Sequence, residues 1–149
     1  MFNESDEHEK KKIKILVVDD DPHIRRLIRI ILENKFSFQI IEAEDGRQAL
    51  ISIKQDKPFL IVLDVMMPEV DGFQVLKEIR QEEETKDLPV LICSAINERN
   101  KVLELYNQGI IDYIVKPINP VTFNNKITQY LKIYLSKIIK KVDIKHDMN

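Results

Sequence analysis

Five short apolar runs recur along this chain, and each is followed by a segment with helical periodicity. The runs comprise residues 13–18, 38–43, 59–63, 89–95 and 111–115. Val, Ile and Leu follow one another in them with little polar alternation, which is typical of strands buried on both faces of a parallel sheet. Residues 22–34 carry their apolar side chains on one helical stripe. The alternation predicts an α/β fold, a doubly wound five-stranded parallel sheet with helices on both faces.

The helix boundaries divide the chain into three parts. Three predicted helices follow an aspartate that can cap a helix amino terminus, namely Asp21, Asp45 and Asp71. The last helix is predicted over residues 120–141, which is longer than the sheet requires. We therefore predict a flexible arm over residues 1–12, one domain over residues 13–135, and an extension of the last helix with a tail over residues 136–149.

Composition excludes several classes of protein. The length of 149 residues suits one domain. The single cysteine, Cys93, excludes an intramolecular disulfide and a multi-cysteine metal site. No apolar run reaches the ~18 residues of a membrane span, and residues 1–12 lack the apolar stretch of a signal peptide. The net charge of −2 does not indicate nucleic acid binding. We expect a cytoplasmic protein without membrane insertion or direct contact with nucleic acid.

Polar residues follow four of the predicted strands at the point where each strand ends. They are Asp19, Asp20 and Asp21 after the first strand, Asp64 after the third, Ser94 in the fourth and Lys116 after the fifth. Ligands of an open parallel sheet bind beyond the carboxyl ends of its strands. The sequence therefore predicts that carboxylates, a hydroxyl and an ammonium group meet at one edge of the sheet.

This set of groups suits metal-assisted phosphoryl transfer. Several carboxylates in one cleft repel each other, and Mg²⁺ relieves that repulsion. A lysine can hold a phosphate group, and an aspartate can be the nucleophile that forms an aspartyl phosphate. The three glycines form neither a GxGxxG nor a P-loop motif, so nucleotide binding of those kinds is not supported.

Four segments match the motifs of a known family in order and spacing. They are ILVVDDDP (15–22), VLDVMMPEVDGF (62–73), PVLICSA (89–95) and DYIVKP (112–117). Through them the chain resembles the receiver domain of two-component response regulators over about residues 13–135. The resemblance implies a flavodoxin-like sheet with strand order 2-1-3-4-5.

The resemblance also implies roles for the acidic residues. Asp64 is expected to accept a phosphoryl group from the phosphohistidine of a sensor histidine kinase or phosphotransfer protein. Mg²⁺ is expected to bind to Asp20, to Asp64 and to the backbone carbonyl of Met66. Asp19 is expected to act through water or as a further ligand. On this basis the chain is a signalling domain and not an enzyme with turnover.

Three further residues receive roles from the resemblance. Lys116 is expected to pair with the phosphate, and Ser94 to donate a hydrogen bond to it. Tyr113 is expected to turn inward as an aromatic switch when Ser94 moves, and the bond between Lys116 and Pro117 to be cis. The surface of the fourth helix, fifth strand and fifth helix is expected to change on activation, and a homodimer could form through it.

Two departures from the family pattern carry consequences. Met66 and Ile96 lie two residues beyond Asp64 and Ser94, and neither side chain can orient a hydrolytic water, so we expect slow loss of the phosphoryl group. The end of the fourth helix carries bulkier residues than the family usually has, namely Leu105, Gln108 and Ile110. These residues call the position of that helix into question.

Two other functions remain open at this point. A phosphatase with an aspartate nucleophile, as in haloacid dehalogenases, would use the aspartates after the first strand. However, His23 stands where those enzymes carry Thr or Val, and turnover of a small phosphate ester would identify such an enzyme. A flavodoxin-like flavin carrier needs a phosphate-binding loop there, whereas three aspartates repel phosphate. A colourless protein would exclude that carrier.

Overall fold

A computed structural model describes residues 13–148, which form one five-stranded parallel sheet. The strand order is β2-β1-β3-β4-β5, and every neighbouring pair is parallel. The strands are β1 (Lys14–Val18), β2 (Gln39–Ala43), β3 (Leu60–Leu63), β4 (Val90–Ser94) and β5 (Asp112–Val115). The predicted fold class and strand order are confirmed. The predicted arm over residues 1–12 lies outside the described residues.

Helices connect the strands and cover both faces of the sheet. They are α1 (Pro22–Lys35), α2 (Gly46–Asp56), α3 (Gly72–Gln81), α4 (Arg99–Asn107) and α5 (Pro120–Asp147). The carboxylates of Asp21, Asp45 and Asp71 accept backbone N–H groups in the first turns of α1, α2 and α3. These caps satisfy N–H groups that a helix start leaves unpaired, so the strand ends lead directly into helices.

Alternate residues of the strands divide the core into two layers. Leu16, Ile61 and Ile92 face the layer that α2, α3 and α4 cover. Ile15 and Val62 face the layer that α1 and α5 cover. Because both faces are apolar, the sheet is fixed from two sides and its carboxyl edge is a rigid platform.

The last helix is longer than the predicted 120–141, because α5 continues to Asp147. No Pro or Gly follows Pro120 to stop it. Phe123 and Ile127 are buried in the core, whereas Leu135 is 55% exposed. The predicted boundary at residue 135 thus falls inside one continuous helix. No helix among residues 13–148 has both the length and the apolar character required to span a bilayer.

The end of α4 accommodates the bulkier residues noted in the sequence. The Leu105 side chain is fully buried in the core, and Ile110 is nearly so, while Gln108 stays exposed. Gly109 follows the helix with a φ of 75°, a conformation that glycine adopts at little cost. Packing in the core therefore accommodates Leu105 and Ile110 without disrupting α4.

Candidate functional site

Three carboxylates meet at the carboxyl edge of the sheet. Asp19 and Asp20 follow β1, and Asp64 follows β3, which pairs with β1. One carboxylate oxygen of each lies within 4.8 Å of the others. Asp19 is 1% exposed and Asp64 is 3% exposed, whereas Asp20 is exposed. The sequence placed these residues together, and the structure does so as well.

The buried Asp19 is held through its backbone and its carboxylate. Its N–H donates to the carbonyl of Ala43 at 3.2 Å. Its Oδ1 accepts the N–H of Asp21 at 2.9 Å, and its Oδ2 accepts Nζ of Lys116 at 2.7 Å. Burial raises the pKa of Asp19, although both hydrogen bonds act against this. The fold therefore keeps a carboxylate here at an energetic cost.

Asp64 is fixed at the end of β3 by three hydrogen bonds. Its N–H donates to the carbonyl of Val18 at 2.9 Å. Its Oδ1 accepts the N–H of Met66 at 3.0 Å, and its Oδ2 accepts Nζ of Lys116 at 3.0 Å. A Cβ at Gly72 would overlap the Asp64 carbonyl and Cα of Val65. The glycine thus lets α3 begin directly against the loop that carries Asp64.

Lys116 bridges the two buried carboxylates from the end of β5. Burial lowers the pKa of Lys116, but the hydrogen bonds to Asp19 and Asp64 outweigh it and raise the pKa overall. The ammonium group therefore stays charged at neutral pH. The bond between Lys116 and Pro117 is cis, as expected.

Three buried hydroxyl groups lack hydrogen-bond partners among residues 13–148, and two of them lie on the neighbouring strands β4 and β5. Ser94 is fully buried at the end of β4, and its Oγ is unpaired. The neighbouring strand β5 carries Tyr113, whose ring is 9% exposed and whose hydroxyl is also unpaired. An unpaired buried hydroxyl costs about 1–3 kcal/mol. At Ser94 the hydroxyl is thus available to an acceptor that enters the site.

The donor set fits a hard divalent cation. The clustered ligand atoms are all carboxylate oxygens, which suit Mg²⁺, Ca²⁺ or Mn²⁺. Burial raises the pKa of Cys93 to about 12, so its thiol stays protonated at neutral pH. Receiver domains generally use Mg²⁺ at such an aspartate cluster, and Asp19, Asp20 and Asp64 are the residues that could hold it.

The structure brings most of the predicted site residues together. Asp19, Asp20, Asp64 and Lys116 form one cluster, while Asp21 caps α1 as predicted. Met66 contacts Asp64 through its N–H. The roles assigned to Met66, Ser94 and Tyr113 stay predictions.

Sequence reasoning missed one contact of the cluster. The Nη1 of Arg25 donates to the carbonyl of Asp19 at 2.7 Å, a contact that the sequence motifs did not indicate. The partner lies six residues earlier, outside the spacing of helical neighbours. Only the position of Arg25 on the first turn of α1 connects it to the acidic residues.

Comparisons with known proteins agree on one family. The family model of the response regulator receiver domain matches residues 15–128. The chain is 38% identical over 124 residues to a probable transcriptional regulator, ycf27, of Porphyra purpurea, covering 83% of this chain and 49% of that protein. It is 42% identical over 119 residues to response regulator GtcR of Aneurinibacillus migulanus, covering 79% of this chain and 47% of that protein. The chain thus spans about half the length of these relatives.

Solved structures give the same result. Chemotaxis response regulator CheY4 of Vibrio cholerae superposes with a TM-score of 0.73 at 30% identity, covering 79% of this chain and 98% of that chain. The signal receiver domain of a LuxO-type repressor from Vibrio parahaemolyticus gives a TM-score of 0.76 at 27% identity, covering 86% of this chain and 97% of that chain.

The sequence resemblance, the sheet order and the aspartate cluster all point the same way, so the phosphatase and flavin-carrier alternatives are set aside. The chain belongs to the response regulator receiver domain family and is a phosphorelay receiver of two-component signalling.

Proposed function

We propose that Asp64 is the residue that accepts the phosphoryl group, in a reaction that requires Mg²⁺ at the aspartate cluster. One observation carries this assignment above all: Asp64 is the buried carboxylate that follows β3, the strand between β1, which leads to the other two acids, and β4, which carries the unpaired hydroxyl of Ser94. Asp19 is also buried and also contacts Lys116, but Asp19 and the exposed Asp20 follow β1, which does not neighbour β4. The partner that supplies the group is a sensor histidine kinase or a phosphotransfer protein.

The transfer exchanges one bond for another. A carboxylate oxygen of Asp64 attacks phosphorus, and the P–N bond to the partner's imidazole breaks. The electron pair of that bond stays on the imidazole nitrogen, which then takes up a proton. Bound Mg²⁺ supplies positive charge that offsets the charge on the phosphoryl oxygens.

Lys116 and Ser94 hold the product. Lys116 gives up its hydrogen bond to Oδ2 of Asp64 and donates to a phosphoryl oxygen instead, as a charge-assisted contact. The unpaired Oγ of Ser94 donates to a second phosphoryl oxygen. The gain from pairing this buried hydroxyl draws the end of β4 toward the site, and Tyr113 on the adjacent strand follows.

An intact-mass measurement tests this proposal. Wild-type protein incubated with acetyl phosphate and Mg²⁺ is expected to gain one phosphoryl group, and Asp64→Asn to gain none. Asp71→Asn is the matched control, because asparagine also caps a helix and the variant loses one nearby negative charge. Equal labelling of wild type and Asp64→Asn would overturn the assignment.

We also propose that the domain holds its phosphoryl group for a long time and is not an enzyme with turnover. The Met66 side chain is 56% exposed beside Asp64, and the Ile96 side chain is partly exposed. Neither can orient an attacking water. The half-life of phosphorylated Asp64 is therefore expected to shorten in the Met66→Asn variant. No change in the Met66→Asn, Ile96→Glu double variant would contradict this role.

The partner surface is proposed to be the one formed by α4, β5 and α5, through which two copies associate. Exposed apolar side chains on these three elements support it, namely Leu103, Tyr106, Val115 and Val121. Sedimentation of the phosphorylated protein is expected to show a dimer, and Val121→Glu a monomer. A monomer in both would overturn the dimer while leaving phosphorylation intact.

A further inference from the structure

Arg25 links the acidic residues after β1 to the edge strand of the sheet. Its Nη1 donates to the backbone carbonyl of Asp19 at 2.7 Å, and its Nε donates to Oε1 of Glu42 on β2 at 3.2 Å. The side chain is 15% exposed, so the guanidinium is fixed between two partners. The side chain of Arg25 thus contacts the segment that follows β1 at a backbone carbonyl, and not at a carboxylate.

The contacted carbonyl belongs to the peptide unit that joins Asp19 to Asp20. A peptide unit is planar, so fixing its oxygen also fixes the direction in which the chain enters Asp20. The Asp20 side chain is exposed and forms no hydrogen bond with any other part of residues 13–148. Its direction therefore depends on the backbone that carries it.

The guanidinium itself is oriented by Glu42. Arg29, one helical turn further along α1, donates to the other oxygen of Glu42 at 2.6 Å. Arg29 also contacts Glu33 and the carbonyl of Ile40, but it does not touch Asp19. The two arginines therefore share the carboxylate of Glu42, and of the two only Arg25 contacts the acidic segment after β1.

We infer that Arg25 is a positioning residue for Mg²⁺ binding, which acts by holding the peptide between Asp19 and Asp20. The inference rests on the metal site proposed above. The positive charge of Arg25 does not favour a cation nearby, but Glu42 balances that charge. What Arg25 contributes is the orientation of Asp20.

The chain supplies matched controls on the same helix. Arg25→Met removes the contact with Asp19. Arg29→Met removes a comparable contact with Glu42 but leaves the acidic loop alone. Arg26→Met removes an exposed arginine between them. All three variants lose one positive charge from α1, so a general effect of charge would appear in all of them.

Calorimetric titration with MgCl₂ tests the inference at a temperature where all variants are folded by circular dichroism. Arg25→Met is expected to bind Mg²⁺ about tenfold more weakly, as is usual when a group that orients metal ligands is removed. Arg26→Met and Arg29→Met are expected to bind like wild type. Phosphorylation by acetyl phosphate adds a second readout. In Arg25→Met the Mg²⁺ concentration for half-maximal rate is expected to rise about tenfold, with the maximal rate unchanged.

Either of two results would overturn this inference and leave the proposed metal site intact. In the first, Arg25→Met binds Mg²⁺ within twofold of wild type. In the second, Arg29→Met loses as much affinity for Mg²⁺ as Arg25→Met. The second result would assign the effect to the packing of α1 on β2. Failure of wild-type protein to bind Mg²⁺ would instead overturn the metal site, and this outcome is distinguishable because it appears before any variant is made.

Discussion

The two ends of the sheet each hold a half-buried cation, and the two cations have different partners. At the carboxyl end, Lys116 pairs with the carboxylates of Asp19 and Asp64. At the amino end, the guanidinium of Arg80 on α3 donates to four backbone carbonyls. These belong to Lys86, Leu88, Gln108 and Gly109.

The pKa values of the two cations shift in opposite directions. Burial lowers the pKa of both, but Lys116 has two carboxylates that raise it again. The hydrogen-bond partners of Arg80 among residues 13–148 are neutral carbonyls, and the carboxylate of Asp87 raises its pKa too little to offset burial, so the pKa is lowered. A lysine can leave a carboxylate for a phosphoryl oxygen, and the carboxylate can bind another cation, whereas neutral backbone carbonyls offer no such exchange of charge. We therefore expect a functional role for Lys116 at one end and an architectural role for Arg80 at the other.

The largest effect is expected from Lys116→Met. Removing the ammonium group leaves two buried carboxylates without their cation, which costs about 3–5 kcal/mol. The rate of phosphorylation is expected to fall about 10²–10³-fold, as when one donor to a developing negative charge is lost. Thermal unfolding and intact-mass kinetics measure the two effects. Phosphorylation of the variant at the wild-type rate would show that the reaction does not need Lys116.

Arg80→Met is expected to affect stability alone. Four carbonyls lose their hydrogen-bond donor. We expect the free energy of unfolding to fall by about 2 kcal/mol, because water can replace the guanidinium at the exposed carbonyls. The Tm is expected to fall by about 4–8 °C, while the yield of phosphorylated protein at 20 °C, about room temperature, stays that of wild type. The exposed Arg26→Met serves as the control. Loss of phosphorylation in a folded Arg80→Met protein would contradict the purely architectural role.

Asp19→Asn is expected to stabilise the fold while weakening the site. The raised pKa of Asp19 shows that its charge is less favourable in the folded chain than in the unfolded one. The amide removes that charge, and Lys116 keeps its contact with Asp64. Without Mg²⁺ at pH 7 the Tm is expected to rise by about 2–4 °C, the effect of ~1 kcal/mol in a domain of this size. A lower Tm would show that the pairing with Lys116 outweighs burial.

The smallest effect concerns the ion pair between Asp112, the first residue of β5, and Lys126 on α5, which contacts neither Lys116 nor Arg80. Burial raises the pKa of Asp112, but Lys126 at 2.6 Å and the hydrogen bonds from Tyr113 and Tyr106 together outweigh this, and the pKa is lowered overall. A lowered carboxyl pKa stabilises the fold above the unfolded value of 3.8 and ceases to do so as pH falls through the folded value. Asp112→Asn is expected to cost about 0.5 kcal/mol at pH 7. Chemical unfolding should show that difference vanish in acid, and a constant difference at all pH values would exclude the pair as its cause.

Local patterns made most of the fold predictable. The five apolar runs and the caps at Asp21, Asp45 and Asp71 are signals that a few neighbouring residues carry. The site followed from them, because parallel strands bring their carboxyl ends to one edge. The end of α5 was predicted six residues too early, since no residue after 141 marks a stop.

Contacts between distant segments could not be read from the sequence. Arg80 binds carbonyls up to 29 positions away, and backbone atoms carry no sequence signal. Arg25 reaches Asp19 only because α1 folds back beside β1. Leu105 looked too large for its helix, and only the packed core shows that it points inward. Such contacts depend on how elements pack and not on local composition.

The most direct test of the account is to locate the phosphoryl group. Wild-type protein labelled with acetyl phosphate and Mg²⁺ is reduced with borohydride, which converts an aspartyl phosphate into homoserine, and is then sequenced by tandem mass spectrometry. We expect homoserine at position 64 and intact Asp19 and Asp20. Homoserine at either of those two positions, or at no position in protein that carries the added mass, would contradict it.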